Sequence, residues 1–296
     1  MRCTKTLLPI LLCAAALNAP AATYVLTVAG LGGEPDYEQR FTGLATETDK
    51  ILRTGQTDRV VETLKGADAT KAKMEAVLAK FAASARPADA FVLMMIGHGT
   101  YDGVEYKFNL PGPDVSAKEL ATLLNKIPAG RQLVVNMTSC SGGSVEALKK
   151  DNRVIVTATK SGTEKNATVF ARYWVEALRD PAADVDKNET ISALEAFNYA
   201  QKKTAEFYTE QKRIATEHPQ IDEQQRASAF ALLRFGSAAA VVTDPAKRAL
   251  ITKKEEIEGK IDELKYQKSL LAPDDYKKQL TALLLELSKL QDQIDK

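Results

Sequence analysis

Two residues of this chain have the types that covalent chemistry needs, and each stands just behind an apolar run. Cys140 lies in "LVVNMTSCSGGS", Leu133 to Ser144, directly before two glycines, and His98 lies in "AFVLMMIGHG", Ala90 to Gly99. A thiolate is a strong nucleophile, and an imidazole within reach can take its proton and later protonate a leaving amine. The helix start behind Cys140 offers unpaired N–H groups that favour a thiolate. Glycines beside both residues let backbone approach a substrate closely. The N–H groups of Gly99 and Cys140 are candidates for an oxyanion hole. Each residue alone also reads well as packing. Their pairing carries the chemistry.

The count of reactive groups supports that pairing. Arg2 and Lys5 precede the apolar run "LLPILLCAAAL", and small residues follow at Ala19 and Ala21. This is the pattern of a secretory signal peptide over residues 1–21, with an apolar run too short for a membrane span. It directs the chain to a secreted or periplasmic location. Its removal takes Cys3 and Cys13 away, leaving Cys140 as the sole cysteine. Such a chain has no internal disulfide, and a free thiol in an oxidising compartment is either buried and inert or retained for reactivity. The only histidines are His98 and His218, the latter in "TEHPQID" and read as a loop or helix-end residue. A zinc site is therefore not expected. With a net charge of +1 and no basic block, nucleic-acid binding has no electrostatic support.

His98 and Cys140 are separated by 42 positions, so the fold must bring them together. Apolar, β-branched runs at 23–30, 59–64, 90–97, 131–137 and 153–159 read as strands. Helical patterns at 40–52, 71–84, 116–127, 144–150 and 167–178 alternate with them. That alternation predicts an α/β fold with a doubly wound, mostly parallel sheet flanked by helices. Sites in such sheets form beyond the carboxyl ends of the strands, where both residues stand. "SAFALLRFG" at 228–236 is expected to add a last strand. From Asp244 onward Leu250, Ile257, Ile261 and Leu264, then Tyr276, Leu280, Leu283, Leu287, Leu290 and Ile294, follow heptad-like steps on either side of Pro273. The chain therefore divides into a signal peptide (1–21), an α/β domain (22–243) and a C-terminal α-helical hairpin (244–296). The hairpin is free to pack on itself, on the domain, on a second copy or on a partner.

A second motif concerns a cation. "DVDKNETISALE" puts Asp184, Asp186, Asn188, Thr190, Ser192 and Glu195 at positions 1, 3, 5, 7, 9 and 12 of an EF-hand loop, with Ile191 at position 8. Oxygen donors at alternate positions can wrap calcium. Position 6 is Glu189 where a glycine makes the sharp turn, so the loop is degenerate. The same residues would also serve as caps of the next helix.

The chemistry-bearing stretches carry a resemblance. "IGHG" and "TSCSGG" are similar to the His-Gly and Ala/Ser-Cys motifs of the caspase-like clan, and most closely of its legumain branch. "YVLTVAGLGGEPDY" resembles that branch's first strand and loop, and "RVIVTATKSGTEKN" its strand after the nucleophile. The likeness spans roughly 23–200 and leaves the hairpin outside. It implies a caspase/legumain-like fold and a cysteine endopeptidase that works through a thioester on peptide or protein substrates. It also implies His98 as general acid/base, Cys140 as nucleophile and no required cofactor. Legumains carry Asn-Tyr-Arg-His after the first strand, whose arginine selects Asn or Asp. Aligned on "VAG", this chain reads Asp36-Tyr37-Glu38-Gln39, so Asp36 would replace the asparagine that orients the histidine. Glu38 would then favour a basic P1 residue, the preference expected here, whereas Arg40 swinging in would restore selection of an acid. Ser139 and Thr159 complete the expected substrate-binding set. The alternatives are an inactive scaffold that binds partners and a transpeptidase or ligase that resolves the thioester with an amine.

Overall fold

The computed structural model describes residues 21–54, 59–235 and 244–295. The signal segment, short of Ala21, and the junction 236–243 ahead of the C-terminal helices lie outside the described residues. In chain order the elements begin β1 (Thr23–Ala29), α1 (Pro35–Arg53), β2 (Arg59–Leu64), α2 (Lys71–Ser84) and β3 (Ala90–Ile96). A small meander follows, β4 (Gly99–Tyr101), β5 (Tyr106–Phe108) and β6 (Val115–Ser116), then α3 (Ala117–Leu124) and β7 (Arg131–Asn136). Next come α4 (Val145–Leu148), β8 (Arg153–Thr157), α5 (Phe170–Ala177), β9 (Thr190–Ser192) and α6 (Ala193–Glu210). The chain closes with β10 (Gln220–Ile221), α7 (Gln224–Ser228), β11 (Ala231–Arg234), α8 (Pro245–Tyr266) and α9 (Pro273–Ile294).

The main sheet has the order β10-β8-β7-β3-β1-β2. All neighbours are parallel except the edge strand β10, which is antiparallel to β8. The long apolar runs become its centre: every residue of β3 is buried. Alternate strand residues face two separate cores. Val25, Val92, Leu133 and Val154 pack with Phe41 of α1, Phe170 and Trp174 of α5 and Phe197 of α6. Leu26, Phe91, Val134 and Ile155 pack with Met74, Leu78 and Phe81 of α2 and Leu120 of α3. Each such side chain contributes about 1.5–3 kcal/mol on burial. The sheet is thus doubly wound, a mixed α/β fold with a mostly parallel centre. Its order reverses beside β1, where the chain steps out to β2 and returns to β3. Such a reversal opens a crevice at the carboxyl ends.

Two expectations are corrected. Helix α1 begins at Pro35, five residues before the helical pattern at Arg40, because Pro35 suits the first turn and Asp36 and Glu38 complement the N-terminal dipole. The strand from "SAFALLRFG" stays out of the main sheet. Its first residue, Ser228, ends α7, and β11 pairs antiparallel with β9 in a two-stranded ribbon.

Helices α8 and α9 pack on each other around Ile257, Ile261 and Leu290. Helix α8 also docks on the α/β domain. The Tyr266 hydroxyl donates to the Asn152 carbonyl at 2.9 Å, and Arg234 reaches Glu258 and Asp262, each at 3.5 Å. Leu284 and Leu285 of α9 remain exposed. No described helix is long and apolar enough to cross a membrane.

Candidate active site

Parallel pairing of β3 with β7 sets Met95 opposite Asn136, and the Met137 N–H donates to the Met95 carbonyl at 2.9 Å. Just beyond, the Gly99 N–H donates to Ser139 Oγ at 3.1 Å and the Ser139 hydroxyl donates back to the Gly99 carbonyl at 3.0 Å. The residue after His98 is thereby fastened to the residue before Cys140. The contact requires glycine, since a Cβ at position 99 would lie 2.5 Å from the Ser139 carbonyl oxygen.

Cys140 takes the left-handed conformation, φ 58°, which costs a residue with a Cβ about 1–3 kcal/mol. A buried polar network holds it there. Tyr106 Oη lies 2.7 Å from Thr138 Oγ1, and its hydroxyl reaches Asn136 Oδ1 at 3.2 Å. Asn136 donates to Ser144 Oγ, which donates to the Ser141 carbonyl. From the other side, Thr159 Oγ1 accepts from the Gly142 N–H at 2.9 Å. The residue is 2% exposed, and burial pushes its thiol pKa up while the charge of Lys165 opposes this.

His98 is half-buried at the crevice between β1 and β3. Its ring meets Tyr37 and Phe41 edge-on, with centroids at 4.7 and 5.0 Å. It donates to the Gly32 carbonyl, while burial first and Arg40 second push its pKa below the ordinary 6.5. Burial therefore disfavours the charged form of both groups.

Several expected site residues have other partners here. The Gly99 N–H is taken by Ser139, and the Cys140 N–H donates to the Glu164 carbonyl at 2.8 Å. Both oxyanion candidates are therefore already satisfied. Ser139 and Thr159 are buried and brace the loop around Cys140 from within. Asp36 is exposed in the first turn of α1, and the His98 ring is oriented by Gly32, Tyr37 and Phe41 instead. The Glu38 carboxylate folds back to accept from the Gly32 N–H at 2.9 Å. Sequence reading missed Tyr37 and Phe41. Their i, i+4 spacing would have exposed them had the helix been started at Pro35.

Arg40 remains. Its guanidinium lies 4.7 Å from the Tyr37 ring centroid and lines two adjoining cavities. One, of about 180 Å³, is mostly apolar, with Phe41, Gly97, Met137 and Phe207 in its wall. The other, of about 370 Å³, adds Asn166, Arg213 and Thr216. Two guanidiniums with amide and hydroxyl neighbours suit a carboxylate.

The EF-hand-like loop lies elsewhere. Carboxylate oxygens of Asp184, Asp186 and Glu195 come within 4.8 Å of one another. Asp184 accepts from the N–H groups of Asn188 and Glu189. Glu189 itself adopts φ 62°, so the turn forms without the usual glycine. Burial, then the charges of Glu195 and Asp184, push the Asp186 pKa up. Asn188 and Thr190 are joined within the loop, and Ser192 and Glu195 form the capping box of α6. Helix α5 precedes the loop, with a 3-10 turn, Pro181–Ala183, between them.

No curated protein matches this chain. Among solved structures it is similar to protein GSU0716 from Geobacter sulfurreducens, at 14% identity over 74% of this chain and 99% of that one, with TM-score 0.47. It is also similar to caspase-1 from Spodoptera frugiperda, at 12% identity over 74% of this chain and 94% of that one, with TM-score 0.48. The Drosophila initiator caspase Dronc aligns at 9% identity over 68% of this chain and 78% of that one, with TM-score 0.43. The sequence profile of the family described as "Peptidase C13 family" matches residues 45–227, more than half of the chain and the part that holds both His98 and Cys140. The chain belongs to the peptidase C13 family.

Proposed function

We propose that the chain is an exported cysteine endopeptidase in which His98 and Cys140 act as a dyad. The carrying observation is the Ser139–Gly99 hydrogen-bonded pair, which ties the two residues' loops together at neighbouring strand ends. In the first step His98 takes the Cys140 proton as sulfur attacks the scissile carbonyl, forming a carbon–sulfur bond and an oxyanion. Collapse breaks the carbon–nitrogen bond, and the imidazolium gives its proton to the leaving amine. Water, deprotonated by His98, then attacks the thioester. The carbon–sulfur bond breaks and the thiol is restored. Nothing in this sequence of steps calls for a metal, and the Tyr37 and Phe41 rings pack against the imidazole.

The substrate side chain before the cut is acidic. Glu38 is engaged with Gly32, whereas Arg40 and Arg213 line the polar cavity that Tyr37, the ring packed on His98, also lines. A library of peptides varied at P1 should show cleavage after Asp or Glu, and Arg40→Ala should lower kcat/KM for those substrates by roughly 10- to 100-fold, the worth of a charge-assisted hydrogen bond. Cleavage confined to Lys or Arg would overturn this assignment.

Calcium binds apart from the dyad, at the Asp184–Glu195 loop, with Asp184, Asp186, Asn188, Thr190 and Glu195 as its oxygen donors. With Glu189 in place of the turn glycine and a 3-10 turn between α5 and the loop, its affinity should fall in the weak range of about 10⁻⁴–10⁻³ M. Titration calorimetry should register calcium heat that Glu195→Gln abolishes. An absence of heat at millimolar calcium would refute the site.

A further inference from the structure

The Cys140 amide is occupied by a segment that is itself held by two side chains far along the chain. The Glu164 carbonyl accepts the Cys140 N–H at 2.8 Å. The Glu164 carboxylate is gripped from the segment before β10: His218 Nδ1 lies 2.5 Å from Oε1, and the His218 N–H donates to Oε2 at 3.1 Å. The neighbouring Glu217, buried, accepts from the N–H groups of Val169 and Phe170 and from the Tyr208 hydroxyl. Residues 217–218 therefore clamp both the middle and the end of the loop that runs from β8 to α5. On the other flank the Lys160 N–H donates to Glu164 Oε2, with its ammonium 3.8 Å from Oε1.

We propose that the 160–166 loop is a built-in latch on the active site, closed by the Glu164–His218 pair. This rests on the reading of Cys140 as nucleophile. While the latch is closed, the amide that would bind a developing oxyanion donates to the Glu164 carbonyl, and Cys140 is buried. A substrate carbonyl must displace the Glu164 carbonyl to be polarised. Release of Glu164 from His218 frees the amide and uncovers the sulfur together. Lys165, whose charge acts on the thiol, moves with the same loop.

The test uses the full exported chain and two independent readouts: the rate of Cys140 alkylation by iodoacetamide, and hydrolysis of a peptide with Asp at P1. His218→Ala should speed alkylation roughly tenfold or more, because a charge-assisted hydrogen bond no longer opposes loop opening. His218→Gln retains a side-chain donor and the backbone N–H and should stay near wild type. Hydrogen exchange should show the Cys140 amide less protected in His218→Ala while the amides of β3 and β7 are unchanged, which separates opening from unfolding. Equal alkylation rates and equal Cys140 amide protection in wild type and His218→Ala would overturn the latch, even in an active peptidase. Faster alkylation with no hydrolysis of any peptide in a library varied at P1 would sustain the loop as a gate on the thiol and refute the peptidase reading.

Discussion

Replacing Cys140 by alanine should lower peptide hydrolysis by at least about 10³-fold, since covalent catalysis has no substitute once its nucleophile is gone. The fold should survive. Cys140 buries only a thiol, the left-handed turn is held by Tyr106, Thr138, Asn136, Ser144 and Thr159, and none of those hydrogen bonds involves the sulfur. Alanine at φ 58° meets the same strain that cysteine already bears. The melting temperature of Cys140→Ala should therefore lie within a few degrees of wild type, the shift that about 1 kcal/mol produces. Hydrolysis lost together with the folded state would not distinguish a nucleophile from a packing residue. Loss of hydrolysis with the fold intact would.

The second large effect belongs to His98. Substitution by alanine should cost about 10²–10⁴-fold in kcat/KM, the usual worth of a positioned acid/base. The pH profile of wild type carries the sharper signature. Burial and Arg40 lower the histidine's pKa below 6.5, so its neutral, proton-accepting form is reached at a lower pH than for a free imidazole. Activity should rise through an acidic limb centred below 6.5. Burial raises the thiol above its ordinary 9.0, so no second limb from its loss of a proton should appear below that value. Because Arg40 contributes to the lowering, Arg40→Ala should move the acidic limb upward. A limb that stays put in Arg40→Ala, or one centred above 6.5 in wild type, would contradict the assigned electrostatics.

Much of this site was legible because its placement is a property of strands. Unbroken apolar runs such as "AFVLMMI" cannot face water on either side, so they imply a sheet covered on both faces. A histidine and a cysteine just beyond two such runs must then emerge at the same edge. What could not be read is what hydrogen bonds do after the chain closes. Ser139 looks like a residue for substrate, yet its hydroxyl is spent on both backbone groups of Gly99. Asp36 and Glu38 look like pocket residues if the loop after β1 is long. Helix α1 starts at Pro35, so they occupy its first turn and Glu38 bonds Gly32. Arg213 joins Arg40, and His218 joins Glu164, only through long-range packing. No local spacing announces either pair. The weak strands β9, β10 and β11 are two to four residues long, too short for a periodic signal.

The central claim is that a substrate acyl group passes through the Cys140 sulfur. Wild-type protein mixed with an activated ester of a peptide ending in Asp should be quenched in acid within the first turnovers, digested and mapped by mass. The account predicts an acyl adduct on the segment containing Cys140, released by hydroxylamine and missing from Cys140→Ala. Undiminished peptide hydrolysis by Cys140→Ala, or an acyl group carried on any other residue, would contradict it.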